Sequence, residues 1–558
     1  MKTHELIILV LLYLCCLYLW TLPIQKNPMP FGEPDGASFF GIGDWMAQYD
    51  KPMWILPHPY MWRYGDEGIS PAWPGTLWYP PPYHTNLALI QIIGGERVIP
   101  IFLFLAITDS LTVITLFFLL RKLFDFWTAI LASFLLIFSM RDIISHIWGQ
   151  WPTLLSFSFI PLILYMYYKY TQGYLQGNTK KSYTYIMPFI LASQYLLHPV
   201  GLFNVIVFAF IYTVLLIIRY KKLPFAIKNF CWMGFIFLVL IIVMSPVSFL
   251  NVFKRGVTPQ VGELNIKNFF HFSTSVENSG YPPFWFDFAQ TIGPWWLVFF
   301  ILVGIVFLLL RHKDEDLLLL SWLVGLYLFL QFLIAYNNGR YVRNIIETAH
   351  IFYPLMALGV VYLFSFFKIF SGIKKYLRFA CIIIFVIVII NSTAKAGYNT
   401  LSTAYSNPLQ RINVYQYTAG EWMKNNLKPD DDVYDAFSSL IFRDINNVMW
   451  LQSIAQRQIR GVKLPWQNNT SPGLETLINH DATYVLVDYS RLVIANAGAE
   501  ATTMQNWEKE FMQNETLVYN KDNIRIYKLR DSWYANRARD KTSNYMGNDT
   551  TKLGPRFF

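Results

Sequence analysis

Charge is scarce in this chain. Of its 558 residues, 14% are charged, 54% hydrophobic and 18% aromatic, whereas a water-soluble domain carries roughly 25% charged residues. The shortage is uneven: charges are sparse up to about residue 395 and ordinary after it. That asymmetry points to a membrane body followed by a soluble tail. Cysteine is also rare. Cys15, Cys16, Cys231 and Cys381 all fall inside apolar runs and the tail has none, so neither a disulfide framework nor a zinc spacing is legible. As small apolar residues in lipid or helix contacts they need no further role. A P-loop, a dinucleotide fingerprint, an H-E-x-x-H pair and a nucleophile elbow are all missing, and no nucleotide cofactor is expected. There is no internal repeat and no low-complexity tract. The net charge of +10 does not mark a nucleic-acid partner. Lys and Arg sit in short clusters between apolar runs, the pattern that orients membrane proteins, and no basic stripe interleaved with aromatics is present.

What the chain has in abundance is apolar length. A spanning helix needs about 20 mostly apolar residues. About eleven segments answer to that, centred near Leu12, Leu111, Leu131, Ile160, Pro188, Phe208, Phe237, Val303, Leu326, Met356 and Phe385. The first, from Leu6 to Pro23, reads as an uncleaved span: it is long and has no clear small-residue cleavage site. Every second connector is short and basic: Arg121 and Lys122, then Lys169, Lys180 and Lys181, then Arg219 to Lys228, then Arg311 to Lys313, then Lys374 to Arg378. The positive-inside rule makes these cytoplasmic. An odd span count then puts the tail outside, where the sequons at Asn468, Asn469, Asn514 and Asn548 would be within reach of external glycosylation machinery.

The expected fold is therefore a polytopic α-helical membrane protein in the cell membrane, with a small extracytoplasmic α/β C-terminal domain. The transmembrane domain is expected over 1–394 and the tail domain over 395–558. Two external connectors are long, 24–97 and 251–294, and long loops are uncommon unless functional or disordered. The first is rich in Pro, Trp and Tyr, which argues against disorder. Within it, Phe40, Trp45 and Met46 have the spacing of a helix lying on the membrane over Ala37 to Tyr49. In the tail, Val414 to Asn425 reads as a helix, Tyr484 to Val487 as a strand, and Leu517–Tyr519 with Ile524–Tyr527 as a hairpin around Lys521-Asp522-Asn523. The last stretch is polar and expected to be poorly ordered.

The unusual polar residues converge on the external ends of separate spans, where ionisable groups persist only with partners or a polar cavity. Asp35, in Glu33-Pro34-Asp35-Gly36, is either turn chemistry or a carboxylate serving as general base or metal ligand. Asp142 and His146, spaced i, i+4, share a helix face. They are either a cap and an interfacial histidine or, with Asp35, ligands for a divalent cation such as Mg²⁺ or Mn²⁺. Arg340 and Arg343 are either headgroup anchors or a phosphate clamp, the task that suits a guanidinium. Asp44, His84 and His198 are candidates for a substrate cavity, with an interfacial or helix-end role as the alternative for the two histidines.

These features together resemble the GT-C superfamily of membrane glycosyltransferases, and within it the catalytic subunit of oligosaccharyltransferase. Gly32-Glu33-Pro34-Asp35-Gly36 stands where that family has its first-loop Asp, and Asp142 where its second acidic motif lies. Thr274-Ser275-Val276-Glu277, followed by Pro282-Pro283-Phe284-Trp285-Phe286-Asp287, resembles the family's long external loop, and Gly339-Arg340-Tyr341 its pyrophosphate-binding Arg. Gly420-Glu421-Trp422-Met423-Lys424 resembles the approach to the WWDYG signature, but Val433-Tyr434-Asp435-Ala436-Phe437-Ser438 then follows in place of the signature itself. That signature recognises the Ser or Thr of a protein acceptor, so its replacement bears directly on acceptor choice.

The resemblance implies transfer of a sugar or glycan from a polyprenyl- or dolichyl-phosphate donor to a glycan, protein or lipid acceptor on the external face. Arg340 and Arg343 would hold the donor phosphate, Asp35 would act as base or metal ligand, Asp142 and His146 would complete a metal site, and Glu277 would position acceptor or metal. A lipid-linked-glycan binder without turnover and a lipid or glycan transporter are the other classes open at this point. The transporter would call for polar residues along the spans and repeat symmetry.

Overall fold

The structure is a computed structural model. It describes residues 2–32, 34–49, 82–246, 292–335, 346–366, 383, 387–388, 391–395, 397–402, 412–436, 445–460, 482–494 and 498–530. The chain divides into two compact units. One comprises Met1–Lys26, Tyr79–Tyr83 and Phe102–Ala404; the other comprises Asn27–Trp78, His84–Ile101 and Tyr405–Phe558.

The first unit is a helix bundle. Among the described residues, five helices are long and apolar enough to cross a membrane: Thr3–Trp20, Ile99–Leu123, Pro199–Tyr220, Ile227–Met244 and Asp314–Phe332. A sixth span results if Phe126–Ile137 and Met140–Trp148, bent by 42° at their junction, count as one. Further apolar helices among the described residues include Ile160–Leu175, Ser182–Leu197, Val298–Arg311 and Glu347–Phe366. The expected centre at Phe385 lies outside the described residues.

Local chemistry sets the breaks. Asp125 caps Phe126–Ile137 by accepting from the Trp127 and Thr128 amides at 2.8 and 3.0 Å. Gly149, at φ 86°, ends Met140–Trp148, the left-handed conformation that glycine adopts without steric cost. Gly304 and Gly359 let two helices meet backbone to backbone. A Cβ on Gly304 would collide with the Leu355 carbonyl, and one on Gly359 with the Phe300 carbonyl. Close crossings at small residues are how helices associate where lipid offers no hydrophobic drive.

Basic connectors gather in ion pairs. Arg121 bonds Glu5 at 2.7 Å, Arg219 lies 3.2 Å from Asp314, and the Arg311 Nε–H donates to Asp316 at 2.9 Å. The Arg311 guanidinium also sits 4.7 Å from the Phe124 ring centre. Termini of distant helices are thereby tied together through the residues that the charge pattern had grouped on one side.

The second unit is α/β. Its sheet has the order β2-β1-β3-β5-β4, with β1 at Asp432–Asp435, β2 at Gln458–Arg460, β3 at Tyr484–Asp488, β4 at Thr516–Lys521 and β5 at Ile524–Lys528. Strands β1, β2 and β3 are parallel, and β5 runs antiparallel to both β3 and β4. The central strands β1 and β3 are buried, as parallel strands covered on both faces must be. The β4–β5 turn places Asp522 and Asn523 at φ 54° and 63°, the pair of positive φ values a two-residue hairpin requires.

The segment expected to lie on the membrane folds differently. Pro34–Tyr49 is a helix, but its Phe40 is fully buried against Trp450, with ring centres 5.6 Å apart. Met46 is buried too. The helix packs on Ile445–Ala455: the Trp450 indole donates to the Gly32 carbonyl at 2.8 Å and the Ser453 hydroxyl to the Ala37 carbonyl at 2.6 Å. An apolar face at helical spacing serves a protein partner as well as a lipid surface, and here the partner is the tail.

Candidate functional site

In the bundle, ionisable side chains collect around the short helix Met140–Trp148. Asp142 stands in its first turn, capped by Ser139, whose hydroxyl donates to Asp142 Oδ2. The other carboxylate oxygen lies 2.7 Å from His350 Nε2, and both residues are buried. One turn on, His146 Nδ1 lies 2.7 Å from Asp109 Oδ2 in a second buried pair. The i, i+4 spacing does put Asp142 and His146 on one helix, yet each engages a different partner.

Around these pairs the packing is aromatic. Trp20 lies 5.4 Å from the His146 ring, Phe157 lies 6.3 Å from the His350 ring, and the Trp151 indole donates to the His146 carbonyl at 2.8 Å. Glu347, three residues before His350, accepts from Asn204 and, at 2.8 Å, from the Trp322 indole. Among the described residues, Asp109 Oδ1 and His350 Nδ1 are buried and meet no hydrogen-bond partner. Since buried polar groups are normally satisfied, these two atoms mark a place where a ligand, a proton or water would be accommodated.

The depth of this cluster follows from helix geometry. Asp109 precedes Arg121 by 12 positions in one continuous span, about 18 Å at 1.5 Å per residue. The cluster therefore sits well inside the apolar bundle, away from the basic end.

Sequence reading missed Asp109, His350 and Glu347. Asp109 carried the available signal, an acid inside an otherwise apolar run. His350 and Glu347 open the Glu347–Phe366 helix, where an acid at the first turn is also ordinary helix chemistry.

The other expected residues are distributed as follows. Asp35 stands, partly exposed, in the first turn of Pro34–Tyr49, so Pro34-Asp35-Gly36 opens a helix rather than forming a free turn. It belongs to the second unit and Asp142 to the first. Asp44 is fully buried and forked by Arg97, at 2.9 Å from Nε and 2.6 Å from Nη2, with Gln48 and Gln456 donating to it at 2.6 and 2.9 Å. Arg97 also bonds Glu421. This network ties Pro34–Tyr49 to Val414–Asn426 inside the second unit, a structural task for a residue expected in a substrate cavity. His84 is buried beside Phe39, ring centres 5.5 Å apart, and burial pushes its pKa down to about 4. His198 caps Pro199–Tyr220, accepting from the Val200 amide at 3.2 Å. Glu277, Arg340 and Arg343 lie outside the described residues. Among the described residues no three His, Cys, Asp or Glu side chains converge as a metal site.

This arrangement, a multi-helix membrane bundle with an α/β tail, is a known one: the chain shares its fold with GT-C membrane glycosyltransferases. The apo oligosaccharyltransferase of Archaeoglobus fulgidus superposes with a TM-score of 0.59 at 15% identity, over 91% of this chain and 71% of that one. The same organism's AglB, in complex with an inhibitory peptide and a dolichol-phosphate, gives 0.58 at 14% identity over the same shares. ArnT from Cupriavidus metallidurans bound to undecaprenyl phosphate gives 0.54 at 10% identity, over 94% of this chain and 98% of that one. A sequence-family model described as a family of unknown function (DUF6541) matches residues 70–345. No curated protein matches the sequence.

Proposed function

We propose that this protein is a glycosyltransferase that moves a sugar or glycan from a polyprenyl- or dolichyl-phosphate donor to an acceptor at the external face of the membrane. The observation that carries the reading is the Asp142 site: two buried carboxylate–imidazole pairs inside an apolar bundle, on a fold whose neighbours include proteins bound to dolichol-phosphate and to undecaprenyl phosphate. Buried ionisable groups in a bundle are costly and persist where they serve a function. The fold alone would not establish the chemistry.

In this reading the donor's lipid chain lies among the spans and its phosphate meets Arg340 and Arg343. Their charge stabilises the lipid phosphate as the bond to the anomeric carbon breaks. The acceptor attacks that carbon, and Asp35 takes the acceptor's proton. Glu277 positions the acceptor. Asp142 is held in one orientation by Ser139 and His350, which suits a group that must meet the substrate without rearranging. A bound Mg²⁺ or Mn²⁺ would add Lewis-acid stabilisation of the phosphate. The described residues do not by themselves converge as such a site, because Asp142 and His146 are each turned onto a separate partner. The steps above are therefore written without a metal.

The test uses the full chain in nanodiscs with radiolabelled polyprenyl-phosphate sugars, comparing wild type with Asp35→Ala, Asp142→Ala and Arg340→Ala, with and without EDTA. Sugar release or transfer by wild type, lost in Asp35→Ala and Asp142→Ala, is expected. Loss with EDTA would assign the carboxylates to a metal. Donor binding through Arg340 with no turnover of any donor would replace the transferase by a lipid-linked-glycan binding protein.

A further inference from the structure

The second unit has a cleft that the transfer chemistry does not use. It encloses about 820 Å³ between the helix Gly498–Phe511 and the sheet, within the ~300–1,000 Å³ range of ligand clefts. Its sheet side is built from β3 and its neighbour β5. Tyr489 and Leu492 follow the carboxyl end of β3 at Asp488, Asn523 stands in the β4–β5 turn, and Arg525 and Tyr527 belong to β5.

The cleft's floor is held rigid. Glu508 accepts hydrogen bonds from the Tyr489 hydroxyl at 2.7 Å, the Tyr527 hydroxyl at 2.6 Å and Arg525 at 2.8 Å. Burial and the Glu508 carboxylate push both phenols up, Tyr527 to about 12, so both remain donors to Glu508. The Arg525 guanidinium lies 5.6 Å from the Tyr489 ring centre. Gln505, Gln513 and Asn523 complete the wall with side-chain amides, and Leu492 and Met512 supply apolar surface.

Three ligand classes can be weighed against this lining. A lipid chain would strand the amides and the charged groups. An extended peptide would seek a strand edge for main-chain bonds, but β5 is flanked by β3 and β4. A carbohydrate satisfies both halves. Its hydroxyls donate and accept, as side-chain amides do, and the C–H face of a pyranose ring suits the electron-rich face of a tyrosine. Among the described residues that line the cleft, Lys509 and Arg525 face one carboxylate, Glu508, a balance that admits acidic sugars too.

We propose that this cleft binds a saccharide chain, seated on Tyr489 and hydrogen-bonded by Gln505, Gln513 and Asn523. The inference rests on the reading of the protein as a sugar-handling enzyme and assigns the tail the task of holding a glycan acceptor. The test presents the full chain in nanodiscs to an array of immobilised neutral and uronic-acid-containing oligosaccharides, with wild type, Ala501→Trp and Gln505→Ala compared. Ala501 lines the cleft on the helix, so a tryptophan there fills it. Binding by wild type, weakened tenfold or more in both variants at unchanged melting temperature, is the expected result. Gln505→Ala keeps the test decisive if Ala501→Trp does not fold. Absence of binding to every glycan, binding indifferent to both variants, or displacement of a bound glycan by a peptide would overturn the proposal. Glycan binding lost in Ala501→Trp, in a protein that turns over no donor, would sink the transferase reading and leave the cleft standing. Turnover without glycan binding would do the reverse.

Discussion

His84 shows how far burial alone alters a side chain. It lies against Phe39, fully enclosed, and its pKa falls to about 4 from the ordinary 6.5 because burial disfavours the imidazolium. The native state therefore holds it neutral. The unfolded chain begins to take up a proton below about pH 6.5, so His84 costs no stability above that pH and lowers it progressively as the pH falls from about 6.5 to about 4. The full loss is on the order of 3 kcal/mol at one pKa unit per 1.36 kcal/mol. His84→Gln should flatten this limb, seen as a smaller drop in melting temperature between pH 7.5 and pH 5 for the full chain in nanodiscs. Asp142 and His146 were legible at this scale because a charge pair at i, i+4 in an apolar chain is rare. That each would pair elsewhere was not, since Asp109 and His350 come from 37 and 208 positions away.

Among elements, the decisive contact is the crossing of Val298–Arg311 with Glu347–Phe366. The hydropathy of each run announces a helix, but only Gly304 and Gly359 set their distance. Gly359→Leu should force the two backbones apart and destabilise the bundle by about 3 kcal/mol, at the upper end of overpacking costs. The expected readout is a lower melting temperature and aggregated protein in size-exclusion chromatography, with Gly234→Leu, whose Cβ position meets nothing within 4 Å among the described residues, as the unaffected control. The hairpin at Asp522-Asn523 was readable in advance, because few residues tolerate two consecutive positive φ values and Asp and Asn are among them. Strand β1 was not. Asp432–Asp435 is four residues long, too few for a period-2 pattern to stand out. Helix Pro34–Tyr49 was legible as a helix and its partner was not, since Phe40 and Met46 look the same to lipid as to Trp450.

At the scale of the molecule, the grouping of basic connectors sets an expected orientation. With the cysteines replaced by Ser, Asn514→Cys in the exposed tail should react with a membrane-impermeant maleimide on intact cells. Lys222→Cys, in a basic connector, should react only after permeabilisation. The opposite pattern would invert the topology and place the proposed chemistry on the wrong side for an external acceptor.

The sequence by itself determined that the chain enters a membrane, that short basic clusters fall between its apolar runs, and that acids and histidines recur where those runs end. These are properties of composition and spacing, and apolar length and charge act locally on every segment. Only the tertiary structure decided which carboxylate meets which imidazole, that Asp44 is committed to Arg97, and that the aromatic first-loop helix belongs to the tail's core. Such pairings join residues far apart in the chain. Their energy depends on burial and on distances of about 3 Å, which no local pattern encodes.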